Sequence, residues 1–313
     1  MRFHFSRDRL VVLALSLTLV AVSHGFAQDV RVETQQQART RAQNTLPESE
    51  VTEEVSDPEL GEINLVSRAP KPKMFTFATA QTFNYTTNAF LVRDGAQDDF
   101  FWNGRLGASF VPYATRNFTP RLIFEQNWFR YHDFGVLDFD SQSLTLDLKY
   151  DLNANDTWFV DGSYSVSRLY SPRDDSVGEF YRYGFLNASV THLIQLQTAP
   201  VTFWLTGGAY SRQGDPSSSD RVAGYFNASA IYTVNETVQL SAFTRPEVQH
   251  YTHDPLGDRD DFNVTVGATV SWSPNQYFAL AATASYVGNF SSVGVRRYDV
   301  VTPSFVVAGQ VAF

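Results

Sequence analysis

The 313-residue sequence has no cysteine, two methionines and, after Lys73, a single lysine, Lys149. Without cysteine there can be no disulfide scaffold, thiol nucleophile, cysteine-ligated zinc, iron–sulfur cluster or thiol-linked lipid anchor. Long apolar runs are also missing. The longest, Leu10 to Val22, has 13 residues, against the ~20 that a membrane-spanning helix needs. Basic charge is scarce, with 24 Lys and Arg against 33 Asp and Glu and a net charge of −9. A surface of that sign cannot neutralise phosphates, so no nucleic acid partner is expected. What the chain does have is aromatic residues: 26 Phe, 15 Tyr and 5 Trp.

The first residues form a three-part export signal. Arg2, Arg7 and Arg9 precede the apolar run, and Gly25 and Ala27 supply small residues before a cleavage point. Residues 1–27 are therefore read as a signal peptide, and export without cysteine suits a bacterial envelope protein. Residues 28–73 contain Gln35-Gln36-Gln37, then Glu48, Glu50, Glu53, Glu54, Asp57, Glu59 and Glu62, and close on Pro70-Lys71-Pro72-Lys73. This composition cannot bury enough apolar area to offset the entropy of ordering, so a disordered acidic periplasmic tail or linker is expected. It is either a solvated spacer or a docking segment for a periplasmic partner.

From residue 74 onward the pattern has period two. Phe262, Val264, Val266, Ala268, Val270 and Trp272 alternate with Asn263, Thr265, Gly267, Thr269 and Ser271. One apolar and one small polar face is the signature of a half-buried strand. Twelve such segments are expected, at 74–86, 99–113, 119–132, 141–152, 156–169, 181–195, 199–212, 221–234, 236–251, 261–273, 276–289 and 298–313. The connections alternate between short ones, such as Asn153-Ala154-Asn155 and Pro274-Asn275, and longer acidic ones, such as 93–98, 133–140 and 252–260.

Alternating loop length points to an up-and-down antiparallel barrel across an outer membrane, with short turns and both termini on the periplasmic side. Hydrocarbon offers no hydrogen bonds, so an all-β chain must close on itself. A water-soluble β-sandwich or propeller, the competing fold, has no need for such alternation. Two aromatic girdles at the headgroup level are expected. Tyr85, Trp128, Tyr131, Tyr170, Tyr181, Tyr251 and Tyr298 would form the outer one, and Tyr113, Tyr150, Trp158, Tyr232 and Trp272 the inner one.

The last segment alternates Phe305, Val307, Gly309, Val311 and Phe313 with Ser304, Val306, Ala308, Gln310 and Ala312. It resembles the terminal strand read by the barrel assembly machinery, which implies outer-membrane insertion and contact with outer-membrane lipid and lipopolysaccharide. A second resemblance covers about thirty residues: Asn84-Tyr85-Thr86-Thr87-Asn88-Ala89-Phe90, the loop with Gly95, Asp98-Asp99-Phe100-Phe101, and Arg105-Leu106-Gly107-Ala108-Ser109-Phe110. This stretch is similar to the first hairpin of the outer-membrane porins of exopolysaccharide loci, and the resemblance implies an envelope pore connected with polysaccharide.

Ionisable residues within the strands are expected to face the lumen, because charge beside lipid is costly. The inward-facing ones include Arg105, Arg121, Glu125, Asp147, Lys149, Asp161, Arg245 and Glu247, four of each sign. Arg105, Glu125 and Asp147 come from consecutive strands and are expected at comparable heights. The set acts either as a bracing ion-pair network or as a constriction that selects by charge. In the long loops, Arg93, Arg173, Arg259, Arg296 and Arg297 are candidates for recognising lipopolysaccharide or an acidic polysaccharide, since the guanidinium fork suits phosphate and carboxylate.

No metal or cofactor is expected. His250 and His253 are three apart, which puts them on opposite faces of a strand, so with Asp254 they do not read as a metal site. Three histidines, His132, His250 and His253, lie at outer strand ends, but no spacing around them carries a nucleophile, base and orienting acid. The chain reads as a porin-like channel or accessory pore rather than an enzyme. An outer-membrane hydrolase and a non-conducting structural or adhesive barrel are the alternatives.

Overall fold

The computed structural model describes residues 73–153, 157–172 and 178–313. The signal peptide and all of the acidic tail except Lys73 lie outside the described residues, as does Arg173. The rest is twelve antiparallel strands: β1 (Phe75–Thr86), β2 (Asp99–Phe110), β3 (Phe118–Tyr131), β4 (Phe139–Asp151), β5 (Trp158–Tyr170), β6 (Glu179–Gln195), β7 (Val201–Asp215), β8 (Arg221–Thr233), β9 (Val238–Tyr251), β10 (Arg259–Asn275), β11 (Phe278–Ser291) and β12 (Tyr298–Ala312). Each pairs with its neighbours in chain order, and β12 closes onto β1. The seam holds Phe77 opposite Val311 and Phe83 opposite Phe305, and the Phe313 N–H donates to the Phe75 carbonyl at 2.8 Å. A closed ladder leaves no strand edge, which is what an all-β chain in lipid requires.

The outward face is the apolar one. Phe77, Leu122, Phe124, Leu144, Leu146 and Val270 are all exposed there, an arrangement that only a lipid solvent favours. Polar residues take the alternate positions and point inward. This is an outer-membrane β-barrel.

Loop asymmetry is weaker than the sequence pattern suggests. One end carries connections of two to seven residues and the other five to twelve. At the long-loop end the strands run on past the expected boundaries: β7 reaches Asp215 and β10 begins at Arg259.

The girdles are also partly different. Tyr113, Tyr150, Trp158, Tyr232 and Trp272 are exposed on the outward face at the short-turn end. At the other end Tyr85 and Phe100 pair on the outside with ring centroids 4.9 Å apart. Tyr131, Tyr181, Tyr251 and Tyr298, however, are buried inside the barrel. Their height along the strand was legible, but their parity puts them on the lumen side, where they share a face with Phe129, Tyr183, Gln249 and Val300.

Candidate functional site

Strand register turns all eight candidate lumen charges inward. Arg105 stands opposite Ala80 and Asn127, Arg121 opposite Asp147, Lys149 opposite Asp161, and Arg245 opposite Thr265. They form two tiers. Arg105 pairs with Glu125 on one wall, while Arg245 reaches Glu247 at 2.9 Å on a far wall. Both arginines lie six positions in from the long-loop ends of β2 and β9.

The second tier is nearer the short-turn end, on β3 to β5. There Arg121 pairs with Asp147 at 3.2 Å and Lys149 with Asp151 at 3.0 Å. The expected grouping of Arg105, Glu125 and Asp147 is therefore split, because Asp147 lies deeper along β4 and meets Arg121 instead. Asp161 makes no ion pair or hydrogen bond among the described residues, although it faces Lys149 across the ladder.

The long-loop end of the lumen is filled. Phe101, Phe129, Tyr131, Leu137, Phe139 and Leu169 pack into one buried cluster, while Tyr251, Val287, Tyr298 and Val300 form another across the barrel. The first long loop joins them. Its Ala89 packs into the former cluster and its Leu91 into the latter. Asn88 anchors the loop: its Nδ2 donates to the carbonyls of Val92 at 2.7 Å and Asp299 at 3.1 Å, and its Oδ1 accepts from the Val92 N–H.

Arginines occupy the same end. Arg212, Arg221, Tyr251 and Arg259 follow one another across β7 to β10 as direct cross-strand partners. The Arg212 guanidinium lies 3.9 Å over the Tyr183 ring, and that of Arg259 lies 3.8 Å over Tyr251, in cation–π geometry. Sequence reasoning missed Arg212 and Arg221, which fell at the soft ends of their expected strands.

Arg259 and Arg296 were expected on the loop surface. Instead Arg259 is fully buried, bonded to Asp261 and, at 3.1 Å, to Asp254. Arg296 approaches the same Asp254 at 3.4 Å, and burial lowers its pKa below the ordinary guanidinium value while Asp254 pulls it back. Carboxylates from a neighbouring loop and strand claim both arginines. Arg93 and Arg297 remain exposed.

On β1 and β9 exposure along the inward face falls toward the long-loop end, whereas β4 to β6 also hold buried Asp151, Phe159, Ser189 and Thr191 near the short-turn end. On β9, Ser241, Phe243 and Arg245 are half-buried, and Glu247, Gln249 and Tyr251 are buried. On β1, Thr76 to Thr82 are half-buried on this face, and Asn84 and Thr86 are buried. The β1 and β9 walls are thus more open toward the short-turn end and closed at the long-loop end.

The histidines hold separate local contacts. His250 bonds Asp260 at 2.8 Å on the outside, His253 lies 3.6 Å from Asp220, and Asp254 serves the buried arginines. His132 bonds Asp133 and His192 meets the Thr157 carbonyl. Asp99 lies beside His132 and Asp133, but its carboxylate accepts the Asp133 and Phe134 N–H groups and ties that loop down.

No protein-family model matches the chain, and no curated protein matches it in sequence. Among solved structures it is similar to an outer-membrane channel from Pseudomonas putida F1, with a TM-score of 0.54 and 17% identity over 77% of this chain and 96% of that one. Looser superpositions are found with the translocator domain of the autotransporter NalP from Neisseria meningitidis (TM-score 0.46, 12% identity, 76% of this chain and 88% of that one) and with the KdgM porin in complex with disordered oligogalacturonate (0.41, 8%, 75% and 99%). The shared feature is the fold, and with its lipid-facing belt it places the chain in the bacterial outer membrane.

Proposed function

We propose that this barrel is a porin-like channel whose outer mouth is held shut by its first long loop, and that it serves the passage of saccharide in connection with exopolysaccharide export. The observation that supports the channel is the exposure gradient on β1 and β9: their half-buried inward residues give way at the long-loop end to a mouth filled by a loop as well as by strand side chains. Twelve strands about 4.8 Å apart and tilted about 40° give a backbone radius of about 12 Å. Small inward residues such as Thr76, Ala78, Ser241 and Thr269 leave that width unfilled. The saccharide link rests on the resemblance of residues 84–110 to the first hairpin of exopolysaccharide-locus porins. Exposed Arg93 and Arg297 are the loop groups left for lipopolysaccharide or polysaccharide contact.

A second reading, a non-conducting structural barrel, is favoured by the pairing of every candidate lumen charge except Asp161. Planar-bilayer recording separates the two. Wild type is expected to be mostly closed, and deletion of residues 88–96 should give steady conductance. If both forms resist detergent unfolding on gels at room temperature and neither conducts, the channel reading is wrong.

A further inference from the structure

Of the five tryptophans, Trp204 is the one that register turns into the lumen. Trp102, Trp128, Trp158 and Trp272 all share faces with lipid-side residues. Trp204 is half-buried, and its indole meets the Phe159 ring edge-on with centroids 6.0 Å apart. Two positions along β5 from Phe159 stands Asp161, a lumen carboxylate opposite Lys149 that makes no ion pair or hydrogen bond among the described residues. Across from it on β8 is Tyr225, whose hydroxyl donates to Asn187 Oδ1 at 2.9 Å and whose ring backs the Arg245 guanidinium at 3.8 Å. The inward positions between these groups are Ser189, Thr191, Thr206 and Gly208, and the last has its face covered by the Tyr225 ring. The wall from β5 to β8 therefore carries half-buried Trp204, Tyr225 and Asp161 around small side chains, of which Ser189 and Thr191 are buried beside Phe159. It spans about 14 Å at the usual strand spacing.

We propose that this wall is a saccharide subsite, and that it takes sugars without acidic groups. A pyranose ring presents an apolar C–H face, which an indole covers, and a rim of hydroxyls, which a carboxylate accepts. Sites of this kind combine aromatic lining with a few placed polar groups. The neighbouring cations are already matched, Lys149 by Asp151 and Arg245 by Glu247. Asp161 faces Lys149 across the ladder but makes no ion pair among the described residues, so when ionised it is the excess carboxylate of this wall, which repels a uronate and leaves a neutral hydroxyl unaffected. The subsite deepens the channel reading by naming the solute class, yet its binding is measurable without conduction.

The experiment uses the full chain folded in detergent at pH 8, with maltohexaose and cellohexaose as neutral probes and an oligogalacturonate as the acidic one. Acrylamide reaches Trp204 through the lumen, whereas the other four indoles sit in detergent. A neutral probe is expected to shield one class of fluorescence from quenching, and Trp204→Phe to abolish that class. Asp161→Asn should weaken the neutral sugar at least fivefold and narrow the gap to oligogalacturonate. The subsite is refuted if neither neutral probe shields fluorescence, if shielding persists in Trp204→Phe, or if oligogalacturonate binds wild type as tightly as the neutral sugars. Unchanged heat modifiability on gels shows that the variants are folded. Shielding with no conductance from either wild type or the 88–96 deletion removes the channel and keeps the subsite, while conductance without shielding does the reverse.

Discussion

Ala89 and Leu91, two residues apart on the first long loop, pack into separate apolar clusters on facing walls of the barrel mouth. One short segment thereby bridges β2–β6 and β9–β12. Leu91 does so with φ at 53°, a left-handed conformation that costs a non-glycine residue on the order of 1–3 kcal/mol. Burial of its side chain, worth about 2 kcal/mol, is what offsets that cost, so the loop is held by a narrow margin.

Leu91→Asn should therefore open the mouth. Asparagine tolerates the left-handed backbone better than leucine but brings no apolar side chain to Tyr251 and Val287. Asn88→Ala should act in the same direction by removing the bonds to Val92 and Asp299, each worth about 1 kcal/mol. Both variants are expected to conduct several-fold more than wild type in planar bilayers. Their unfolding temperature on gels should stay within a few degrees, since no ladder bond is touched. Equal conductance would mean that the mouth is closed by the wall clusters without the loop.

The barrel itself was legible because two solvents act on alternate residues. The run from Phe262 to Trp272 needs lipid on one side and water on the other, and only a strand supplies both. All twelve strands followed from that rule, with ends shifted by a few residues. Faces were legible too wherever parity was followed, as for Arg105 or Asp161. Tyr131 and Tyr251 were misplaced because an aromatic at a strand end suits a girdle by height alone.

The closure of the mouth was not legible, because its contacts join distant parts of the chain. Asn88 bonds the Asp299 carbonyl 211 residues away. The partnership of Arg212 with Arg221 likewise depends on the β7–β8 register, which no single strand encodes.

Arg259 is a further test, since it read as a loop group and lies fully buried between Asp254 and Asp261. Arg259→Met keeps most of the volume but leaves Asp261 without its arginine and Asp254 with Arg296 alone, a change that costs about 3–5 kcal/mol when a buried pair is broken. The unfolding temperature in detergent should fall clearly, and adding Asp254→Asn and Asp261→Asn should recover much of it. Arg297→Gln, at an exposed position, should leave it unchanged. If Arg259→Met is as stable as wild type, the buried cluster contributes nothing to holding the mouth together.

The last prediction separates bracing from selectivity by comparing two acids that differ in one respect. Glu125 is paired with Arg105, whereas Asp161 makes no ion pair among the described residues. Glu125→Gln and Asp161→Asn each remove one negative charge from the lumen, so each should shift the reversal potential across a salt gradient toward anions. Low ionic strength should enlarge both shifts, because the Debye length grows from about 8 Å at physiological salt to about 30 Å at 0.01 M. Stability should respond differently. Glu125→Gln leaves the half-buried Arg105 uncompensated and should cost on the order of 3 kcal/mol. Asp161→Asn breaks no pair, relieves a desolvated charge, and should leave the unfolding temperature level or higher. Adding Asp147→Asn to Glu125→Gln should deepen both effects, since Arg121 then loses its partner as well. An unchanged reversal potential in all three variants, with conductance intact, would take these carboxylates out of the conduction path and leave Arg105–Glu125 and Arg121–Asp147 as braces of the wall.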